Sequence, residues 1–238
     1  MNLRLLLLLL AGSAHGGGFR EIKEAPDDLL SSVRRQANPE SLAALFAAGA
    51  AAGAAGNSDS SIQDSLQRRT PLGKDATDAG AWMGSYVLLL PAAGAAYFAG
   101  GWANAAGVQE TGLMGLEALT VAGVETEALK LTVRRERPDH SDHSSFPSGH
   151  ASASFSLAAL AASEYGWKAG IPAFLAAGFV GYTRLEKNKH HLSDVLFGAG
   201  LGVSAGRAVW KTHRERHPER FTFAPYAAPG GGGVIVLF

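Results

Sequence analysis

The chain has 238 residues, with 21 basic and 21 acidic side chains, 30 glycines and no cysteine. Zero net charge argues against a general nucleic-acid binder, which needs surplus Lys and Arg to displace phosphate counterions; the lack of cysteine excludes disulfides, thiolate nucleophiles and zinc knuckles. The length suits one ordinary domain, and a charged fraction of 18% with Ala/Gly-rich apolar segments points to an all-α fold of closely packed helices.

In chain order, residues 1–16 read as an export signal. Arg4 supplies the positive start, residues 5–11 a short apolar core, and Gly12, Ser13 and Ala14 a small-residue cleavage site, with Gly16 as a second option. An apolar run of about seven residues is too short for the roughly 30 Å bilayer core. Residues 17–80 form a lead-in. It comprises a polar surface stretch broken by Pro26 and Pro39, a first core helix over 41–56, and a polar loop over 57–80.

The core spans 81–210. Segment 81–101 is the longest strongly apolar one and the only one expected to pass alone as a membrane span. Segment 112–130 carries Glu117, Glu125 and Glu127, carboxylates expensive in lipid, and 151–163, 170–183 and 195–209 complete six core helices. These lengths and charges favour a water-soluble or peripherally attached bundle, with integral insertion as the alternative. The spacings Gly49/Gly53, Gly198/Gly202 and Gly202/Gly206 suit close helix contacts. The tail, 211–238, ends in two short apolar runs separated by prolines and four glycines, and reads as irregular or as a hairpin.

Three clusters carry candidate chemistry. In the first, Lys130 and Arg137 lie seven residues apart, close to two helical turns, so both can face one anion if the helix runs on to Pro138. Arg134 and Arg135 read as a solvated helix end. The second is Phe146-Pro147-Ser148-Gly149-His150, where Ser148 can cap a helix, Gly149 lets a ligand approach the backbone, and His150 can donate a proton. In the third, Arg184 offers an anion clamp, and Asp194 lies four residues beyond His190, within reach of its imidazole. Each has a plainer reading: a solvated helix end, a capped turn, and a surface His–Asp pair or metal ligand with His191 a bystander. Two further patterns carry no chemistry: Gly202-Val203-Ser204-Ala205-Gly206 lies inside a helix rather than at a strand-to-helix turn, and residues 213–220 read as a charged helix end.

Together the clusters resemble the type 2 phosphatidic acid phosphatase and vanadium haloperoxidase superfamily: Lys130-x6-Arg137-Pro138, Pro147-Ser148-Gly149-His150 and Arg184-x5-His190-x3-Asp194. Thr183 stands where that family usually has Ser. The resemblance implies a bundle of about six core helices with the site at the helix ends. It makes His190 the nucleophile forming a phosphohistidine, Asp194 its orienting partner and His150 the general acid and base. Lys130, Arg137, Ser148, Gly149 and Arg184 would hold the phosphoryl oxygens, with no metal or other cofactor required. The expected function is an exported, periplasmic phosphatase of small-molecule or lipid phosphomonoesters, soluble or membrane-attached. The alternatives are a vanadate-dependent haloperoxidase and a non-catalytic phosphate-binding envelope protein.

Overall fold

The computed structural model describes residues 25–216, 222–228 and 231–237, so the expected export signal lies outside the described residues. Nine helices are described: α1 (Ala25–Arg35), α2 (Pro39–Gly56), α3 (Asp59–Arg69), α4 (Gly73–Met83), α5 (Tyr86–Trp102), α6 (Ala106–Val133), α7 (Gly149–Tyr165), α8 (Trp167–Glu186) and α9 (Leu192–Arg216). A two-stranded antiparallel hairpin follows, β1 (Thr222–Ala228) with β2 (Gly231–Leu237), Thr222 opposite Leu237. The tail therefore takes the hairpin form of the two that were open.

The lead-in departs from expectation, being helical where loop was expected. In α1, Pro26 sits in the first turn, where its missing N–H costs nothing. Asp27 and Asp28 there, with Arg34 and Arg35 in the last turn, complement the helix dipole. Asn38 caps α2, accepting a hydrogen bond from the Ser41 N–H. Segment 57–80 is mostly α3 and α4, separated by Thr70 in the left-handed conformation.

Segment 81–101 is likewise broken. Met83 ends α4 and Ser85 caps α5 through the Leu88 N–H, bending the pair by 48°. Gly84 sits in the break because a Cβ there would lie 2.3 Å from Val180. Among the described residues no single helix is long and apolar enough to cross a membrane.

At the centre α7 lies against α9. A Cβ at Gly198 would fall 2.6 Å from the Ser148 carbonyl oxygen, at Gly202 2.2 Å from that of Ser152, and at Gly206 2.1 Å from that of Ser156. Three glycines four apart thus bring the two backbones together, as the small-residue spacing implied. Gly53 has nothing within 4 Å and takes no part. Met114, Ala118, Val121 and Ala122 of α6, Leu160 of α7, and Ala205 and Val209 of α9 form the main core. A smaller cluster of Ala151, Leu185 and Val195 lies beside the N-terminal ends of α7 and α9.

The acidic residues of 112–130 are answered by internal partners. His213 Nε2 and Glu117 share a 2.7 Å hydrogen bond, with Glu110 3.8 Å from Nδ1, while Arg216 pairs with Asp28 at 2.5 Å. Despite burial, the two glutamates and Asp28 push His213 up to about 10. His213 thus belongs to a buried ion network that Arg216 joins from the surface, and is not part of a solvated end. It lies nineteen residues of α9 from Asp194, roughly 28 Å at 1.5 Å per residue.

Candidate active site

The C-terminal ends of α6 and α8 meet the N-terminal ends of α7 and α9, and every residue of the three clusters stands at this junction or on the loops leaving it. α6 ends at Val133, because Arg134 adopts the left-handed conformation (φ 50°) and its N–H closes on the Lys130 carbonyl. Lys130 and Arg137 therefore do not share a helix face; Arg137 reaches in from the loop. Its Nε donates to Asp142 Oδ1 (2.7 Å), and its Nη1 donates to the Lys189 carbonyl (3.0 Å) and lies 3.3 Å from His190 Nε2. Lys130 remains helical and bonds Glu127; its Nζ would lie 3.5 Å from a Cβ on Gly149.

Ser148 occupies the N-cap position of α7 but makes no capping bond. Its fully buried Oγ has no hydrogen-bond partner, while its N–H donates to the Asp194 carbonyl (3.1 Å) and ties the starts of α7 and α9 together. Arg184, in the last turn of α8, is 7% exposed, and its buried Nε also has no partner. Buried donors left unmatched by protein cost free energy unless a ligand answers them. Burial and the nearby Arg137 charge hold the Arg184 guanidinium down at about 10.

His190 precedes α9 and is buried. Its Nδ1 bonds the Ser145 carbonyl at 2.6 Å, which makes Nδ1 the protonated nitrogen and turns the Nε2 lone pair toward Arg137 Nη1. Asp194 does not bond the ring as expected; its Oδ2 is 4.0 Å from Nδ1. The i, i+4 helical relation fails because α9 starts only at Leu192. The Asp194 carboxylate instead accepts from Ser145 Oγ, the His191 N–H (2.8 Å) and Arg135 Nη1 (2.6 Å). His191 contributes this backbone donor.

Both histidines sit in a cationic field. Burial, then Arg184, Lys130 and Arg137, bring His150 down to about 4, against an opposing hydrogen bond to the Ala81 backbone. Burial and the same three cations hold His190 well below the ordinary histidine range. Three cations and an unpartnered hydroxyl beside two neutral imidazoles suit a tetrahedral oxyanion.

A sequence profile described as the PAP2 superfamily matches residues 112–218. The resemblance to the PAP2 superfamily thus extends over the part of the helical core that carries all three clusters. A lipid A 1-phosphatase from Porphyromonas gingivalis is 35% identical over 91 residues, 37% of this chain and 20% of that protein. The chain thus matches about a fifth of that curated relative's length. Among solved structures, the first transmembrane PAP2 type phosphatidylglycerolphosphate phosphatase from Bacillus subtilis superposes with a TM-score of 0.62 at 22% identity. The match covers 78% of this chain and 96% of that one, a likeness of fold.

Sequence reasoning missed several contributors outside the PAP2 motifs. Arg135 bridges Asp194 and, through Nη2, Asp59 at 2.9 Å, and so is not a solvated end. Ser145 carries no motif, yet it bonds both Asp194 and His190. α3 and α4 clasp the loop that carries the third motif. Gln63 donates to the Leu185 carbonyl (3.0 Å), Gln67 donates to that of Glu186 (3.0 Å), and Glu186 accepts the Leu72 and Gly73 N–H groups at the start of α4. Thr183, the departure from the PAP2 pattern, turns its Oγ1 to the Val180 carbonyl within α8.

Proposed function

We propose that this protein is an exported, membrane-associated phosphatase that hydrolyses phosphomonoesters through a phosphohistidine on His190. The observation that carries the reading is the pair of buried, unpartnered donors, Ser148 Oγ and Arg184 Nε, beside an imidazole whose unprotonated Nε2 faces Arg137 of the same anion clamp. The names of the relatives support phosphoryl chemistry on lipids.

In this reading Lys130, Arg137, Arg184, Ser148 and the Gly149 N–H hold the phosphoryl oxygens. Nε2 of His190 attacks phosphorus in line, a P–N bond forms and the ester P–O bond breaks. His150 gives its proton to the departing alkoxide, then takes one from the water that hydrolyses the phosphohistidine. In the free protein burial and the cations keep His150 neutral; a bound phosphate dianion offsets the cations and lets the ring be protonated. Asp194, 4.0 Å from Nδ1, stabilises the charge that develops on His190.

Membrane association rests on exposed apolar side chains along the bundle: Trp82, Val87, Trp102, Leu131, Trp167 and Leu175 are each 62–79% exposed. A surface this apolar marks a contact with lipid or protein. Tryptophan-rich ends suit the membrane interface.

The test fractionates cells expressing the full chain and assays phosphate release from p-nitrophenyl phosphate and from phosphatidic acid in mixed micelles. Vanadate-sensitive release in the membrane fraction, abolished by His190→Ala, is the expected result. Equal release by wild type and His190→Ala would remove His190 as nucleophile.

A further inference from the structure

We propose that Asp59, on α3 and outside the PAP2 match, is a positioning residue for this site: acting through Arg135, it sets the Asp194 carboxylate that governs His190. The inference rests on the phosphatase reading for its kinetic consequence, though not for its geometry.

Asp59 is 4% exposed in a polar segment without any motif. Its Oδ1 accepts the Ser193 N–H at 3.0 Å, and its Oδ2 accepts both Ser193 Oγ and Arg135 Nη2, the latter at 2.9 Å. Burial pushes the carboxyl up, but these bonds from Ser193 and Arg135 outweigh it and hold it below its ordinary range. Arg135 therefore lies between two carboxylates. Nη2 faces Asp59, while Nη1 donates to Asp194 Oδ1 and Ser193 Oγ, both at 2.6 Å. From Asp194 the connection runs through Ser145, whose Oγ donates to the carboxylate and whose carbonyl receives His190 Nδ1. The Ser145 N–H returns to the Arg135 carbonyl at 2.9 Å, closing the network on itself.

Charge explains why a second carboxylate matters. Arg135 alone against Asp194 would cancel much of the negative field at His190, 4.0 Å away. With Asp59 on its other side the guanidinium is shared, the pair of carboxylates keeps a net negative charge, and a fork with two fixed partners cannot swing toward solvent. Asp59→Asn keeps the shape and, through its one oxygen, the bond from the Ser193 N–H, but its amide nitrogen cannot accept from Ser193 Oγ or Arg135 and the charge is gone, so the guanidinium neutralises Asp194 more fully. His190 then loses both orientation and support for its developing positive charge. The anion clamp of Lys130, Arg137 and Arg184 does not touch Asp59 and stays intact.

The experiment compares wild type, Asp59→Asn, Arg135→Gln and the double variant on p-nitrophenyl phosphate, together with NMR titration of the His190 ring. Expected are a fall in kcat of roughly 10- to 100-fold for each single variant, KM within about threefold, and a double variant no worse than the poorer single one. The His190 ring of Asp59→Asn should also titrate at lower pH than in wild type, a readout that stands even if no ester is turned over. Unchanged kcat with a lowered melting temperature would make Asp59 merely structural, and additive losses in the double variant would break the link through Arg135; either overturns the proposal. If wild type itself releases no phosphate, the functional reading fails while the titration still decides the coupling. An unmoved His190 titration would then sink it.

Discussion

The contact between Gly198 and Ser148 joins packing to chemistry, and Gly198→Ala probes it. A Cβ there would stand 2.6 Å from the Ser148 carbonyl oxygen and 3.3 Å from its nitrogen. A carbon–oxygen approach is ordinarily no closer than about 3.3 Å, so the starts of α7 and α9 must part by roughly 0.7 Å. That parting strains the bond from the Ser148 N–H to the Asp194 carbonyl, at 3.1 Å, which sets Ser148, Gly149 and His150 against the third motif. Overpacking of this kind costs about 1–3 kcal/mol, and for a chain of this size each kcal/mol lowers the melting temperature by roughly 2–4 °C. Displacement of the anion cradle by most of an ångström should lower kcat on p-nitrophenyl phosphate by roughly tenfold or more. Gly178→Ala, where nothing lies within 4 Å, is the control and should hold or slightly raise stability through better helix propensity. Thermal unfolding and steady-state kinetics on the three proteins decide it. If Gly198→Ala matches the control in both, the close approach of α7 and α9 does not set the site.

Two further outcomes follow from the titrating groups. Because His213 is pushed up to about 10 by Glu110, Glu117 and Asp28, its stabilisation is fully present below pH 6.5 and disappears as pH rises through 10. The gap in melting temperature between wild type and His213→Gln should therefore be wide at pH 6 and narrow at pH 9.5. A gap independent of pH would contradict the charged network. At the site the sign is reversed: with His150 down at about 4, an oxyanion dianion that offsets the surrounding cations must draw in a proton. Tungstate binding measured calorimetrically at pH 6, in two buffers of different ionisation enthalpy, should register uptake of up to one proton, and affinity should weaken toward pH 8. Identical heats in both buffers with no change in affinity would refute that linkage.

Helices built on Ala, Gly and Leu announced themselves through composition and apolar runs, and the residues of all three motifs meet at one junction as their order suggested. What escaped was polar. α3 has few apolar residues and shows no strong stripe, so a reading keyed to hydrophobic periodicity made it a loop; it is held by Asp59, Gln63 and Gln67 bonding distant groups. Arg135 looked like one more charge at a helix end because its partners, Asp59 and Asp194, are 76 and 59 residues away in sequence. His190 and Asp194 are spaced as a helical pair, yet a helix start at Leu192 hands the imidazole to the Ser145 carbonyl instead.

The amino-acid order alone determined which side chains this protein has for holding an oxyanion, and where close helix contacts could form, because side-chain type and glycine spacing are local properties. Which cation faces which carboxylate, and which donors stay without a protein partner, was decided only when separate helix ends converged. Those matches depend on distances between residues that the chain itself keeps far apart.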